Sequence, residues 1–231
     1  MKYLYPNHAM LVTVPRIAAL FFIALQLLGM KVYPGGTRYD SSTQGYSFSK
    51  NFFSDMGAYA ARNGDPNYFS MILFAMSLTI VGITFISYYL LLPTLLGNDR
   101  INYILTWLGT LFAIGGSVCM IGTGFTPSDV VFGPHVFFAN NIFHCFLITA
   151  FLYTIVIFRS DSLQKRYAIG YAMFFLSILI YVMILQYGPS VNSSESALIF
   201  QVLSQKVIVI VFCFSVIHQT YGFTKSGILK Q

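Results

Sequence analysis

Ser54 and Asp55 stand side by side, Asp129 follows in a later polar stretch, and His135 opens the next apolar run. A hydroxyl, a carboxylate and an imidazole are the parts of an acyl-transfer or hydrolytic site, where the ring activates the hydroxyl and the acid orients the ring. Each part also has a plainer role. A Ser-Asp pair is a common helix cap, and Thr126-Pro127-Ser128-Asp129 reads as a turn. Spacing alone places no nucleophile–base pair. A catalytic set of Ser54, Asp55 and His135 therefore stands as the alternative to a protein without a reaction of its own.

Lys206 is the one cation deep inside an apolar block. Nine residues into its helix, it lies about 14 Å from the helix end. An ammonium at that depth costs on the order of 3 kcal/mol or more unless it is paired. Two readings are open. The helix starts near Val207 and Lys206 snorkels to the headgroups, or Lys206 turns inward and meets a lipid phosphate or a loop acid, Asp55 or Asp129. Asn140, Asn141 and His144 share one helical face by their three- and four-residue spacing. His144 is also about 14 Å deep, which predicts a layer shared with Lys206. The same three residues read equally as inter-helix hydrogen-bonding glue. The candidate ligand-binding residues are thus Lys206, His144, Asn140, Asn141, Asp55 and Asp129.

All seven acidic residues fall in links between apolar blocks, which argues against a proton- or sodium-coupled transporter with an acid at midplane. The four histidines show no metal-ligand spacing. Cys119, Cys145 and Cys213 all lie inside apolar runs, with no C-x-x-C pair. No metal, cofactor or disulfide scaffold is called for.

The elements that must carry these residues are membrane spans. Of 231 residues 56% are hydrophobic and 9% charged, where a soluble domain carries about 25% charged residues. That composition argues against a soluble enzyme, a nucleic-acid-binding protein and a disordered chain. Six stretches are long and apolar enough to cross a bilayer: Arg16–Tyr33, Tyr68–Leu92, Tyr103–Thr123, His135–Phe158, Tyr167–Tyr187 and Ala197–His218. Breakers separate them, among them Pro34-Gly35-Gly36, Gly133-Pro134 and Gly188-Pro189. The first run lacks a small-x-small cleavage site and reads as a retained span. The third contains Gly109, Gly115, Gly116 and Gly122 at heptad spacing, a signal of close helix approach.

Charge orients the bundle. The side holding the termini and the 2–3 and 4–5 links carries Lys2, Arg16, Arg100, Arg159, Lys165, Arg166, Lys225 and Lys230 against Asp99 and Asp161, a net +6. The other side carries Lys31, Arg38, Lys50 and Arg62 against five acids, a net −1. The positive-inside rule puts both termini in the cytoplasm. The expected fold is an all-α integral membrane six-helix bundle in one domain. Its 34–67 loop lies outside and is too rich in aromatics for disorder. The expectation is an ordered cap in which Asn51–Arg62 forms a short helix packed on the outer ends of the third and fourth spans.

Several short motifs together resemble a known family. They are Ser54-Asp55-Met56-Gly57 in the outer loop, Asn67-Tyr68-Phe69-Ser70 opening a span that carries Gly82, and Gly124-Phe125-Thr126-Pro127-Ser128-Asp129. His135 with Ala139 follows, and then Gln205-Lys206-Val207. Over about Arg16 to Tyr221 the chain resembles the bacterial and archaeal family called domain of unknown function 998. It is distantly similar to the Frag/DRAM/Sfk membrane proteins. Met56 stands where the family more often has leucine, and Lys206 where arginine is more usual, which keeps the charge but loses the bidentate fork. The resemblance implies a six-helix bundle of the bacterial cytoplasmic membrane with no established reaction. The Frag/DRAM/Sfk group is linked to lipid-anchor remodelling and lipid asymmetry, which favours a lipid. The expected function is binding or handling of a lipid or lipid-linked molecule at the outer leaflet. The alternatives are the outer-interface hydrolase or acyltransferase above and a structural or accessory subunit. Membrane lipid is the expected partner; a homo-oligomer or another membrane protein is left open, and nucleic acid is not expected.

Overall fold

The computed structural model describes residues 8–226. Lys2 and Lys230, which enter the charge asymmetry, lie outside the described residues. Six helices are long and apolar enough to cross a membrane. They are α1 (Val14–Val32, entered through a π-helical turn, Ala9–Thr13), α2 (Tyr68–Leu96), α3 (Arg100–Phe125), α4 (Phe132–Arg159), α5 (Arg166–Tyr187) and α6 (Glu195–Ser226). The chain is an integral, multi-pass membrane protein, an all-α bundle as its hydropathy demands. Its exterior is a belt of exposed apolar side chains such as Leu20, Phe21, Leu111 and Phe214. Water would penalise a belt of that extent, whereas hydrocarbon solvates it.

Helix ends follow local chemistry. The Asp99 carboxylate accepts the Ile101 and Asn102 N–H groups and starts α3, and those bonds hold its pKa below the usual carboxylate range. Pro134 sits in the first turn of α4, where its missing N–H costs nothing. Consecutive helices pack side by side in chain order. Against α4, α3 presents Gly109 to Tyr153 and Gly116 to Phe146. A Cβ at Gly116 would come within 2.9 Å of the Phe146 ring, so these glycines set the helix spacing. The ring closes where the Arg16 guanidinium donates to Thr220 Oγ1, 2.9 Å away, joining the start of α1 to the end of α6. At the opposite end, termed here the loop end, residues 33–67 cover the bundle.

The loop departs from the expected helix. A single 3-10 turn, Phe53–Gly57, replaces it. The Asp55 carboxylate accepts the Phe52 N–H at 2.8 Å, and Asn51 Oδ1 accepts the Ser47 N–H at 2.9 Å. Such side chains offer the backbone partners that a helix would otherwise supply. Gly36, at φ +82°, has the backbone of Arg62 and Asn63 within 2.4 Å of where a Cβ would stand. Only glycine lets the two loop segments cross there. The turn packs on α2 through Gly57 and Phe74 rather than on α3. The link before α4 still joins in, because Asp129 accepts the Tyr59 and Ala60 N–H groups at 2.9 and 2.8 Å.

Candidate functional site

Under the loop lies a polar cavity of about 480 Å³. The loop supplies Arg38, Ser54, Asp55 and Arg62, and the α3–α4 link supplies Ser128 and Asp129. His135, Ala139, Asn140 and Phe143 come from α4, Tyr181 and Leu185 from α5, and Gln205 from α6. Deeper in the bundle is an apolar chamber of about 120 Å³ to which all six helices contribute. An apolar void of about that size accepts a benzene-sized group. The two spaces share Ser54, Ala139, Phe143 and Gln205 in their walls, so they abut across those side chains.

The charges in the polar cavity differ in what they have left to offer. Arg62 donates from Nε and Nη2 to Asp55 Oδ1 at 3.0 and 2.7 Å, and Asp55 is buried. Burial opposes the Arg62 charge, but Asp55 raises its pKa above the ordinary value. Both carboxylate oxygens of Asp129 are engaged by the Tyr59 and Ala60 amides. Arg38 is the exception. Its guanidinium donates to the Asn192 side chain and has no carboxylate partner among the described ion pairs. Arg38 is exposed at the cavity's edge, where local desolvation and, after it, the like charge of Arg62 lower its pKa. A guanidinium stays protonated even so, and an anion beside it would offset both effects by its opposite charge.

His135 is buried with Nδ1 2.6 Å from the Thr126 carbonyl oxygen. A carbonyl only accepts, so Nδ1 carries the hydrogen and Nε2 is the free lone pair. Ser54, Asp55, Asp129, His135 and Asn140 thus come together around one cavity, and Asn140 parts from the Asn141, His144 and Lys206 set it was expected to join. Within it, no hydrogen bond joins Ser54 to His135 among the described residues, and Asp55 is taken up by Arg62, Phe52 and Asn51.

Lys206, His144 and Asn141 are placed elsewhere. Lys206 is buried, and its ammonium donates to Tyr46 Oη at 2.6 Å and to the Asn51 carbonyl at 2.8 Å. The Phe53 ring centroid is 4.0 Å away, with the Tyr46 and Phe48 rings at 5.1 and 5.6 Å. Lys206 therefore does not snorkel to water, and its partners are loop residues rather than the α4 amides. It borders an apolar groove of about 270 Å³ between α1 and α6. His144 instead accepts from Gln186 of α5 at 3.2 Å, and Asn141 donates to its own helix at the Phe137 carbonyl.

Arg38, Arg62, Gln26 and Gln205 join the site without having stood out in the sequence as site residues. Gln205 Oε1 accepts the Phe53 N–H at 2.9 Å and pins the loop to α6. Gln26, the one amide in the first predicted span, lines both the apolar chamber and the groove. An amide in an otherwise apolar span was the available signal. Among the described residues, no group of three or more His, Cys, Asp or Glu side chains is gathered to hold a metal ion. No family model, curated protein or solved structure matches the chain.

Proposed function

We propose that this protein binds a lipid or lipid-like amphiphile with an anionic head at the outer leaflet. One observation carries the reading: a polar cavity whose Arg38 has no carboxylate partner among the described residues abuts an apolar chamber across a shared wall. Head and tail of one molecule have opposite solvent preferences, and the two spaces match them in order. Arg38, with Arg62 beside it, takes the head, through the fork that suits phosphate or carboxylate. Asn140, His135 Nε2 and Ser54 supply further polar contacts, and the chamber takes the end of the chain. The charge asymmetry supports an orientation with the loop end outside and both termini in the cytoplasm. Membership of the domain of unknown function 998 family belongs to the same proposal and contributes its six-helix frame.

Native mass spectrometry of gently purified protein tests this. The wild type is expected to retain an anionic phospholipid. Arg38→Gln, and Ala139→Phe in the wall the two spaces share, are expected to lose it while melting near the wild-type temperature. Equal retention by all three proteins would overturn the reading. The placement of Ser54, Asp55 and His135 around the same cavity supports a second reading, an outer-interface hydrolase. It requires Ser54 to move within reach of His135 Nε2. Ester hydrolysis by the pure protein, abolished by Ser54→Ala, would establish it.

A further inference from the structure

His135 is 5% exposed, and its two ring nitrogens differ in what they have left to offer. Nδ1 gives its hydrogen to the Thr126 carbonyl at 2.6 Å, which leaves Nε2 of the neutral ring as a lone-pair acceptor. Nε2 makes no hydrogen bond among the described residues, yet it is not one of the enclosed side-chain atoms without a partner. It is therefore open to the polar cavity that the ring lines. Asn140 and Ser54 stand in the same wall in the same state. Among the described residues neither side chain is hydrogen-bonded, and neither polar tip is enclosed. An acceptor, an amide and a hydroxyl are thus unspent around one space.

Depth and size say what fits there. The 28 residues of α4 span about 42 Å, against about 30 Å of hydrocarbon. His135 lies in the first turn of α4, and so at the level of headgroups rather than of acyl chains. A glycerol phosphate has about ten non-hydrogen atoms. At the ~30 Å³ that a water molecule takes in the liquid, they need no more than about 300 Å³, within the cavity's 480 Å³. An alkyl head of the same charge would displace water from Nε2 and offer no hydrogen bond in return, which costs affinity. A hydroxyl restores the bond. We propose that His135 Nε2 accepts a hydrogen bond from a hydroxyl of the ligand's head while Arg38 meets its phosphate. The favoured ligand is then an anionic lipid with a polyol head, of which glycerol phosphate is the simplest. This rests on the lipid-binding reading and narrows it from any anionic head to a hydroxylated one. It asks only for the polar cavity, wherever the chains run.

Dioleoyl phosphatidylglycerol and dioleoyl phosphatidylethanol share chains and charge and differ in the hydroxyls of the head. Each is titrated by native mass spectrometry into delipidated wild-type, Arg38→Gln, His135→Asn and His135→Phe proteins. Asparagine can put an amide N–H where Nδ1–H stood and leaves nothing at Nε2; phenylalanine keeps the ring and removes both nitrogens, and either folded variant serves. The wild type is expected to prefer phosphatidylglycerol by about three- to tenfold, the range of one net hydrogen bond. The His135 variants are expected to bind both lipids equally, and Arg38→Gln to weaken both while keeping the preference. Equal binding of the two lipids by the wild type, with both weakened in Arg38→Gln, would overturn the hydroxyl contact and leave the lipid reading standing. A preference that survives in a folded His135 variant would overturn the contact as well. Binding of neither lipid, or binding of both unaffected by Arg38→Gln, would overturn both readings. Soluble glycerol phosphate is expected not to displace phosphatidylglycerol from the wild type. Displacement at equal concentration would keep the hydroxyl contact and overturn a lipid as its source.

Discussion

Replacing Lys206 with methionine probes how the loop is held. The ammonium makes two hydrogen bonds, to Tyr46 Oη and the Asn51 carbonyl, and sits over the Phe53 ring. Hydrogen bonds from a charged donor contribute about 1.5–3 kcal/mol each, and a desolvated cation–π contact about 2. Against that stands the loss of hydration, several kcal/mol for a buried ion. Methionine removes both sides of this balance and keeps an apolar stem in the groove. The Asn51 carbonyl is not orphaned, because the Tyr46 hydroxyl also donates to it at 2.8 Å. The net change is therefore modest, a loosening of about 1–2 kcal/mol, which is roughly a 5–30-fold change in an equilibrium. Amide hydrogen exchange of the reconstituted protein reads it. Residues 46–57 are expected to exchange faster by that factor in Lys206→Met, with α3 unchanged. Unaltered exchange over 46–57 would refute the idea that Lys206 latches the loop. Equal acceleration across all six helices would refute the claim that the effect is local.

Asp129→Ala removes the acceptor of two loop amides, so exchange at Tyr59 and Ala60 should speed up several-fold while residues 46–53 hold. Gly116→Val drives a side chain into the Phe146 ring and should destabilise the bundle by about 1–3 kcal/mol in a denaturant titration. Gly133→Ala, where an added Cβ meets nothing within 4 Å, should leave stability unchanged or slightly raised. Burial pushes the Tyr33 phenol up to about 12 from 10.0. A pKa raised by folding means the stabilisation is complete below pH 10 and lost as pH climbs from 10 toward 12. A Tyr33→Phe difference spectrum should accordingly lose a tyrosinate step near pH 12.

The spans were legible because each is a run of some twenty apolar residues, a signal summed over a long window. The predicted Tyr68 start of α2 and Tyr187 end of α5 coincide with the helices. Ser54, Asp55, Asp129 and His135 were legible as residue types, and they do share a cavity. The partners of Lys206 were not, because Tyr46 lies 160 residues away and no periodicity links a loop to a distant helix. Asn51–Arg62 misled because its composition allows a helix while the Asn51 and Asp55 side chains capture the backbone first. Arg38 and Arg62 read as ordinary charges in a link. Only the fold distinguishes them, by giving Arg62 an acid and leaving Arg38 without one.

The docking of the loop on α6 also carries a timetable. Phe53 waits for Gln205, 152 residues later, and Tyr46 for Lys206, 160 residues later. At cellular translation speeds that interval is roughly 8–30 s. The loop's internal bonds need no such delay, since Asn51, Asp55, Arg62 and Asn67 find partners between residues 33 and 67. The nascent chain can therefore shape the loop early, but the space beneath it acquires its last wall only when the final helix inserts. A ribosome stalled before residue 205 would display a formed loop with two of its anchors missing.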